Sequence, residues 1–347
     1  MPANSFEPTS TIIVSFLAVA VLLGVVLFYE IAFAPLTVPE IRLAITEASM
    51  TRESINSSSV SLIATNYGTR SLSLSATIDN QSSLLANGTF PSSAVEKGHY
   101  ATLTSSISNV AGFNGINGSI RVHDSPSFNS STLSIEIVFE YESYNPDNQM
   151  IVGKGASGGD SFYLFSFRSL GVFNDFVMYN NNTRYDQQLG DIFALNNWYD
   201  LVVTVDGANV RAYVNGVAFM SWQTSVRFRG NLDDFLIGSC ICGGYNFNGT
   251  IALVRFYDRA ISPGEVAWNF KNSSNPTESG LKMWLGLGKE FNGNFMDLSG
   301  QNNDGLSNGE IIVLTPIQAG RLYFITVTGT TLDGREYSTS QEVLAQE

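Results

Sequence analysis

Basic residues are scarce in this chain of 347 residues. Lysine and arginine together number 18 against 31 aspartates and glutamates, so the formal net charge is −13. Nucleic acids and anionic lipids require a basic face on their partner, and the charge balance therefore argues against both. Charged residues make up 14% of the chain, against about 25% in an average soluble protein, whereas hydrophobic residues make up 44% and can form a large core.

Cysteine and histidine are nearly absent. The chain has two cysteines, Cys240 and Cys242, and two histidines, His99 and His123, which do not supply a zinc site. On a strand, the C-x-C spacing places both thiols on one face. Three interpretations stay open: two small strand residues, a local disulfide, or a bridge to another subunit.

Catalytic motifs are also missing. The sequence contains no nucleophile motif, no glycine-rich phosphate loop and no histidine-based metal motif. Adjacent carboxylates such as Asp233 and Asp234 are the residue type that glycosidases use, but nothing singles out two carboxylates at the required separation. Solvated strand ends are the simpler interpretation, and we expect a protein that is not an enzyme.

Charge is absent from Pro8 to Tyr29, a run of 22 positions. As a helix this run would span about 33 Å, the thickness of a bilayer core. Because it is apolar on every face, such a helix requires lipid or other protein all around it. The side chains assigned to an assembly surface are Ile12, Ile13, Phe16, Leu17, Val21, Leu22, Val25, Leu27 and Phe28.

Three interpretations of this helix compete. A signal peptide is disfavoured, because the run is long and no basic residue precedes it. A single membrane anchor fits the length, but the first basic residue is Arg42, so the positive-inside rule gives no cytoplasmic N-terminus. A helix that leaves the bilayer and packs with copies of itself in a filament explains both the apolar surface and the missing basic flank.

After Pro39 the hydrophobic pattern changes to a period of two, which predicts short, half-buried strands. The clearest segment is 198–216, where the dipeptides Asp206-Gly207 and Asn215-Gly216 predict the turns of a β-meander. One short helix is predicted from Ser262, the N-cap of a capping box, to about Lys271.

Several segments occur in the order found in a laminin-G-like, or concanavalin A-like, jelly roll. They are Ser125–Phe128, Ser134–Ile137, Trp198–Gly216, Phe235–Ser239, Phe247–Ile251, Val254–Ser262, Trp284–Leu287 and Asp297–Gly305. The resemblance implies a jelly roll over residues 107–310. It also implies Ca²⁺ as a candidate ligand, with Asp297, Asp304 and Asp160 as candidate carboxylates, although the first two could equally stabilise their own turn.

The apolar helix and the strand at Glu40–Glu47, with the turn at Asn66–Gly68, resemble an archaeal type IV pilin. This resemblance implies an Ig-like sandwich behind the helix. The tail at 320–338 reads as a further hairpin that would complete this sandwich, which makes the jelly roll an insertion into one of its loops.

Eight Asn-x-Ser/Thr sequons fit an exported glycoprotein, although the chain is so rich in these residues that chance alone would give several. The asparagines are Asn56, Asn80, Asn87, Asn117, Asn129, Asn181, Asn248 and Asn272. Aromatic residues near 179–182 and 245–247 are candidates for stacking on sugars.

The predicted fold class is mainly β, with a long N-terminal hydrophobic α-helix, an Ig-like β-sandwich and an inserted laminin-G-like jelly roll. The predicted boundaries are 1–36 for the helix, 37–106 plus 311–347 for the sandwich, and 107–310 for the jelly roll. We expect an extracellular, pilus-like filament subunit that assembles with itself, passes through the membrane before assembly, and displays the jelly roll for adhesion or glycan binding. The alternatives are a single-pass membrane-anchored adhesin and, third, an anchored glycan-processing enzyme.

Overall fold

The computed structural model describes residues 42–54, 57–84, 99–144, 148–155, 159–167, 173–225 and 227–347. The predicted N-terminal helix, with all the side chains assigned to its assembly surface, lies outside these ranges. Within the ranges, no helix combines the length and the apolar character needed to cross a membrane.

The described part of the chain is mainly β, which confirms that part of the predicted fold class. The strands, in chain order, are β1 (Leu43–Ser54), β2 (Ser57–Asn66), β3 (Ser73–Ile78), β4 (Tyr100–Ser106), β5 (Val110–Asn114), β6 (Ser119–Val122), β7 (Leu133–Tyr141), β8 (Gln149–Lys154), β9 (Ser161–Phe167), β10 (Phe173–Asn180), β11 (Thr183–Gly190), β12 (Trp198–Asp206), β13 (Asn209–Val214), β14 (Val217–Gln223), β15 (Phe235–Ile237), β16 (Asn248–Tyr257), β17 (Leu281–Gly286), β18 (Asn294–Phe295), β19 (Gly305–Asn308), β20 (Ile311–Leu314), β21 (Leu322–Thr330) and β22 (Glu336–Gln346). The helical elements are α1 (Pro263–Lys271) and two 3₁₀ turns, Ser82–Leu84 and Pro126–Phe128.

Two eight-stranded sheets form the jelly roll. The inner sheet runs in the order β14-β13-β12-β7-β16-β5-β20, with β17 also paired to β16, and the distal sheet runs β11-β10-β9-β8-β15-β6-β19-β18. Alternate residues of both sheets meet in one core, to which Ile137 and Phe139 of β7 and Phe162 and Leu164 of β9 contribute. Edge-to-face phenylalanine contacts fill this core, for example at 5.3 Å between the ring centroids of Phe128 and Phe256.

A third sheet of six strands has the order β3-β21-β22-β1-β2-β4. Its pairings are antiparallel except between β1 and β22, which run parallel at Met50 and Thr51. The C-terminal hairpin β21–β22 therefore pairs with strands from the beginning of the described chain, and the jelly roll lies between them in sequence.

The six-stranded sheet packs directly on the jelly roll. Its buried residues, such as Leu62, Ile325 and Val327, share a cluster with Val138 and Leu253 of the inner sheet. The sequence analysis expected an Ig-like sandwich with two sheets of its own, but in the described ranges this unit is a single sheet. Its apolar face is buried against the neighbouring domain, so the described residues form three β layers.

One predicted boundary differs from the structure. The sequence analysis assigned residues from 311 onward to the pilin-like unit, but β20 pairs with β5 in the inner sheet of the jelly roll. Ile311 and Val313 pack against the jelly-roll core, and this burial accounts for the placement.

Helix α1 covers the part of the inner sheet that the six-stranded sheet leaves open. The predicted capping box is confirmed: the Ser262 hydroxyl accepts from the Glu265 N–H, and the Glu265 carboxylate accepts from the Ser262 N–H at 2.7 Å. Val266 of the helix packs with Val202, Tyr213 and Tyr257 of the sheet beneath it. The six-stranded sheet and α1 therefore each cover a part of the inner-sheet face that points away from the jelly-roll core.

Candidate functional site

The distal sheet has one face in the core and one face directed away from the other two layers. The clusters formed by α1 and by the six-stranded sheet lie on the inner sheet, and neither includes a residue of the distal sheet. Within the described ranges, the outward face of the distal sheet is therefore the broad jelly-roll face that neither of these layers covers.

We name six residues on two neighbouring strands of this face the distal patch. Along β10, Phe176 and Met178 point into the core, so the alternate residues point outward. On β11 the exposed residues alternate in the same way, and β10 pairs with β11 in register. The distal patch comprises the opposed pairs Asp175 and Gln188, Val177 and Asp186, and Tyr179 and Arg184.

Asp175 is the unusual member of the distal patch. Its residue surface is 6% exposed, and its Oδ1 atom is buried without a hydrogen-bond partner among the described residues. Burial raises the pKa of Asp175 above the usual carboxyl value, repulsion from Asp186 raises it further, and Arg184 opposes the shift. A buried carboxylate oxygen without a donor is costly, so among the described residues Asp175 is the member of the patch that most lacks a hydrogen-bond donor.

The neighbouring β11 residues supply paired charges. The Arg184 Nε donates to the Asp186 carboxylate at 2.7 Å, and the Arg184 guanidinium lies over the Tyr179 ring, 5.9 Å from its centroid. The ion pair places donors and acceptors close together on the exposed part of the patch, whereas Val177 is buried. This mixture suits a ligand that carries several hydroxyl groups.

A disulfide joins Cys240 and Cys242 within the chain. Cys240 packs with Met150, Val177 and Tyr179 on the outward face of the distal sheet. The loop that follows returns to the sheet, where the Met150 N–H donates to the Tyr245 carbonyl at 2.7 Å. The disulfide loop therefore borders the distal patch on its β8 side.

The carboxylates proposed for calcium are already bonded to neighbouring groups. The Asp297 side chain accepts from the backbone N–H groups of Trp284, Ser299 and Asn303 at 2.8–2.9 Å. Asp304 accepts from the Asp297 N–H, and Asp160 from the Asn181 N–H. Across the described ranges, no group of three His, Cys, Asp or Glu side chains could hold a metal ion. These aspartates thus organise turns.

Other carboxylates are placed where a substrate does not reach them or where they fix loops. Glu136 is buried beneath α1, where it accepts from Arg255 at 2.7 Å and from Asn269 at 2.8 Å, and Asp200 is buried beside this network. Asp234 accepts from the Asp124 N–H and lies within ion-pair distance of Arg121 and His123.

Six of the eight predicted sequons fall in the described ranges, since Asn56 and Asn87 lie outside them. Asn80, Asn117 and Asn181 are exposed, whereas Asn129, Asn248 and Asn272 are half-buried. The Asn248 amide nitrogen donates to the Ser143 hydroxyl at 2.7 Å, and that of Asn272 to the Trp268 carbonyl at 3.0 Å. The three exposed asparagines are the more accessible acceptors for a glycan.

Of the aromatic residues predicted to stack on sugars, Tyr245 is exposed, while Tyr179 and Phe247 are buried. The sequence analysis did not identify Asp175, Arg184 or Asp186. A carboxylate directly before the apolar run Phe176–Tyr179, followed by alternating charges on the next strand, is the signal that could have identified them.

Residues 114–267 match the concanavalin A-like lectin/glucanases superfamily, which supports the predicted jelly roll in this part of the chain. Among solved structures, a protein from Bacteroides ovatus proposed to bind carbohydrate is 14% identical, with a TM-score of 0.48 over 77% of this chain and 98% of the other. Domain 4 of the extracellular arabinanase AbnA from Geobacillus stearothermophilus, in complex with arabinotriose, is 20% identical, with a TM-score of 0.37 over 47% and 76%.

The CBM40 domain of the Ruminococcus gnavus IT-sialidase, bound to α2,3-sialyllactose, is 16% identical, with a TM-score of 0.36 over 45% of this chain and 95% of the other. No curated protein matches the chain significantly.

Proposed function

We propose that this protein is an extracellular surface subunit whose jelly roll binds neutral or weakly charged glycans through the distal patch. The observation that carries the proposal is the buried, unpartnered Oδ1 of Asp175 on the jelly-roll face directed away from the other two layers. A sugar hydroxyl is a donor that would satisfy this oxygen. The match to a superfamily of lectins and glucanases supports the same ligand class.

We infer binding rather than cleavage. Retaining and inverting glycosidases need two carboxyl groups on opposite sides of one accessible bond. Glu136 and Asp200 lie beneath α1, and Asp186 is held by Arg184 beside Asp175 on the same face. This arrangement suits hydrogen bonding to a saccharide better than acid–base chemistry.

The filament is the proposed context for this binding. The apolar run 12–28 precedes β1, and β1 occupies the middle of the six-stranded sheet, between β22 and β2. If copies of the run pack together, burial of about 15 apolar side chains at roughly 1.5 kcal/mol each drives assembly. The distal patch would then face away from the filament core, across the thickness of the jelly roll. A single-pass adhesin with the same patch is the second candidate.

A glycan array tests the binding proposal directly. The full chain in detergent is expected to bind a subset of glycans, and Asp175→Asn should weaken that binding at least about tenfold, as expected for a hydrogen bond to a charged group. Asp206→Asn is the matched control, because Asp206 is an exposed carboxylate on the opposite sheet. Equal binding by both variants would remove the distal patch as the site.

Electron microscopy of native surface material tests the filament. Helical filaments with a core of coaxial helices are the expected result, and detergent-dependent monomers would favour the single-pass adhesin. Deletion of the predicted insertion, residues 107–310, is expected to leave filaments in place only if the six-stranded sheet can form without the jelly roll beneath it.

A further inference from the structure

Asn80 lies at the tip of a tight turn between β3 and the 3₁₀ turn that follows. Asp79 and Asn80 have φ of 47° and 63°, the left-handed values of a two-residue turn closed by the bridge between Ile78 and Gln81. Asn80 is exposed and begins the sequon Asn80-Gln81-Ser82. The Gln81 amide donates to the Asn215 side chain at 3.0 Å, so the turn crosses from the six-stranded sheet to the jelly roll.

A junction cleft of about 410 Å³ opens beside this turn, between the six-stranded sheet and the jelly roll. Asn80 itself lies on its wall, together with Trp198 and Tyr199 from the jelly roll and Arg321 and Phe324 from the six-stranded sheet. The junction cleft is thus built by both units, at the point where an attached glycan would begin.

Two features of the junction cleft are unsatisfied in the described chain. Trp198 is 2% exposed, and its indole N–H has no acceptor, although buried tryptophan normally finds one. Phe324 remains 50% exposed and Leu322 55% exposed beside it. A molecule with oxygen acceptors could accept a hydrogen bond from the Trp198 indole N–H, and an apolar C–H face could cover Phe324 and Leu322. A sugar ring has both.

The charges in the junction cleft are already paired. The Arg321 guanidinium donates to Glu140 at 2.9 Å and to the Asn196 carbonyl, and Asp79 accepts from the Phe324 N–H at 2.9 Å. An ionic ligand would have to displace these contacts, whereas a neutral ligand would not. The lining therefore favours a neutral saccharide.

We propose that Asn80 is glycosylated and that its glycan folds back into the junction cleft, where it fastens the six-stranded sheet to the jelly roll. Asn80 and the junction cleft lie on the far side of the inner sheet from the distal patch, so this inference does not depend on the ligand of the patch. It assigns the glycan a structural role and names Trp198 and Phe324 as its contacts.

Mass spectrometry and hydrogen exchange of the full chain from its native host test the proposal. The peptide that contains Asn80 is expected to carry a glycan, and Ser82→Ala should remove it while leaving the turn residues unchanged. The loss should lower Tm by about 3 °C and speed exchange in peptides spanning 78–82 and 195–199. Thr183→Ala is the matched control, because it removes the sequon of exposed Asn181 on the distal hairpin.

Each possible result of these experiments either supports or overturns the proposal. An unmodified Asn80 in the native protein overturns the proposal at once. If Asn80 is modified but Ser82→Ala and Thr183→Ala change Tm and junction exchange equally, the glycan does not occupy the junction cleft. Trp198→Phe should make the Ser82→Ala effect on exchange smaller, because it removes the proposed donor to the sugar while keeping an aromatic ring. Glycan-array binding should be unchanged in Ser82→Ala, whatever the result here.

Discussion

Lys154 is completely buried, yet its ammonium group is surrounded by oxygen atoms. It donates to the Asp124 carboxylate at 2.6 Å and to the carbonyls of Asn231 and Asp233, and it lies 5.9 Å from the Phe128 ring centroid. A carboxylate and two carbonyl oxygens are also the kind of ligands that bind calcium in proteins. The lysine side chain therefore supplies a cation where these loops converge.

Lys154→Met is expected to destabilise the protein by about 3 kcal/mol, because it leaves Asp124 with a partly buried charge and no partner. Urea unfolding measures the effect. The control is Lys282→Met, which removes the more exposed ion pair with Asp258 and should cost less than about 1 kcal/mol. Similar midpoints for the two variants would show that the Lys154 contacts contribute little.

Asp200 shows the opposite situation at the residue scale. It is buried beside Glu136 and Arg255, and its Oδ1 has no hydrogen-bond partner among the described residues. Burial raises the pKa of Asp200 well above the usual carboxyl value, Glu136 raises it further by repulsion, and Arg255 opposes the shift. The folded protein therefore holds a proton at this site more tightly than the unfolded chain does.

The sign of the pH dependence follows from this shift. Stabilisation from protonated Asp200 is complete below the unfolded pKa and is lost as the pH rises through the folded pKa. We expect Tm to fall as the pH is raised above the ordinary carboxyl pKa of about 4, and Asp200→Asn to flatten that fall. Calorimetry of this variant against Asp206→Asn, which changes an exposed carboxylate, makes the comparison. An unchanged slope in Asp200→Asn would mean that other groups dominate.

At the scale of elements, α1 acts as a lid on the polar network of Glu136, Arg255 and Asn269. The helix begins at a capping box and carries Asn269, which links the Glu136 carboxylate to the Tyr257 hydroxyl. The Arg255 guanidinium also lies 5.0 Å from the Trp284 ring centroid. The position of α1 therefore determines whether these buried groups keep their partners.

Ser262→Ala is expected to lower the free energy of unfolding by about 1 kcal/mol, since the first turn of α1 loses its cap. Chemical denaturation measures this value. Ser279→Ala, at an exposed position outside the helix and outside every sequon, should change it by less than about 0.5 kcal/mol. If both substitutions behave alike, the capping box does not hold the lid in place.

Local signals were sufficient to predict several elements. The capping box at Ser262 and the turn dipeptides at Gly207 and Gly216 act within a few residues, and each is present in the structure. The partner of the six-stranded sheet could not be derived in this way. An alternating strand reports that one face is buried, but not which surface buries it, and here the surface belongs to residues such as Val138 and Leu253, far away in sequence.

The distal patch was missed for a related reason. Asp175 stands within a run that alternation alone divides into two faces, and the sequence does not indicate which carboxylates keep a donor. The pairing of Asp175 with Gln188 and of Val177 with Asp186 becomes visible only when the register of β10 and β11 is known. The opposite holds for the calcium candidate Asp297, whose carboxylate oxygens already accept from backbone N–H groups of Trp284 and Asn303.

At the scale of the whole molecule, the order of the layers determines which surfaces of the jelly roll are covered. The six-stranded sheet packs on the inner sheet, α1 covers the rest of that face, and the distal sheet is the outermost layer. β1 lies in the six-stranded sheet, and the inner sheet separates that sheet from the distal patch. We infer that the fold separates assembly from recognition.

A crystal structure of the protein with a glycan identified on the array tests this account most directly. The account predicts a sugar hydroxyl within hydrogen-bond distance of Asp175 Oδ1, with Arg184 and Gln188 in contact with the same saccharide. A glycan bound elsewhere, with Asp175 Oδ1 still lacking a partner, would contradict the assignment of the distal patch as the binding site.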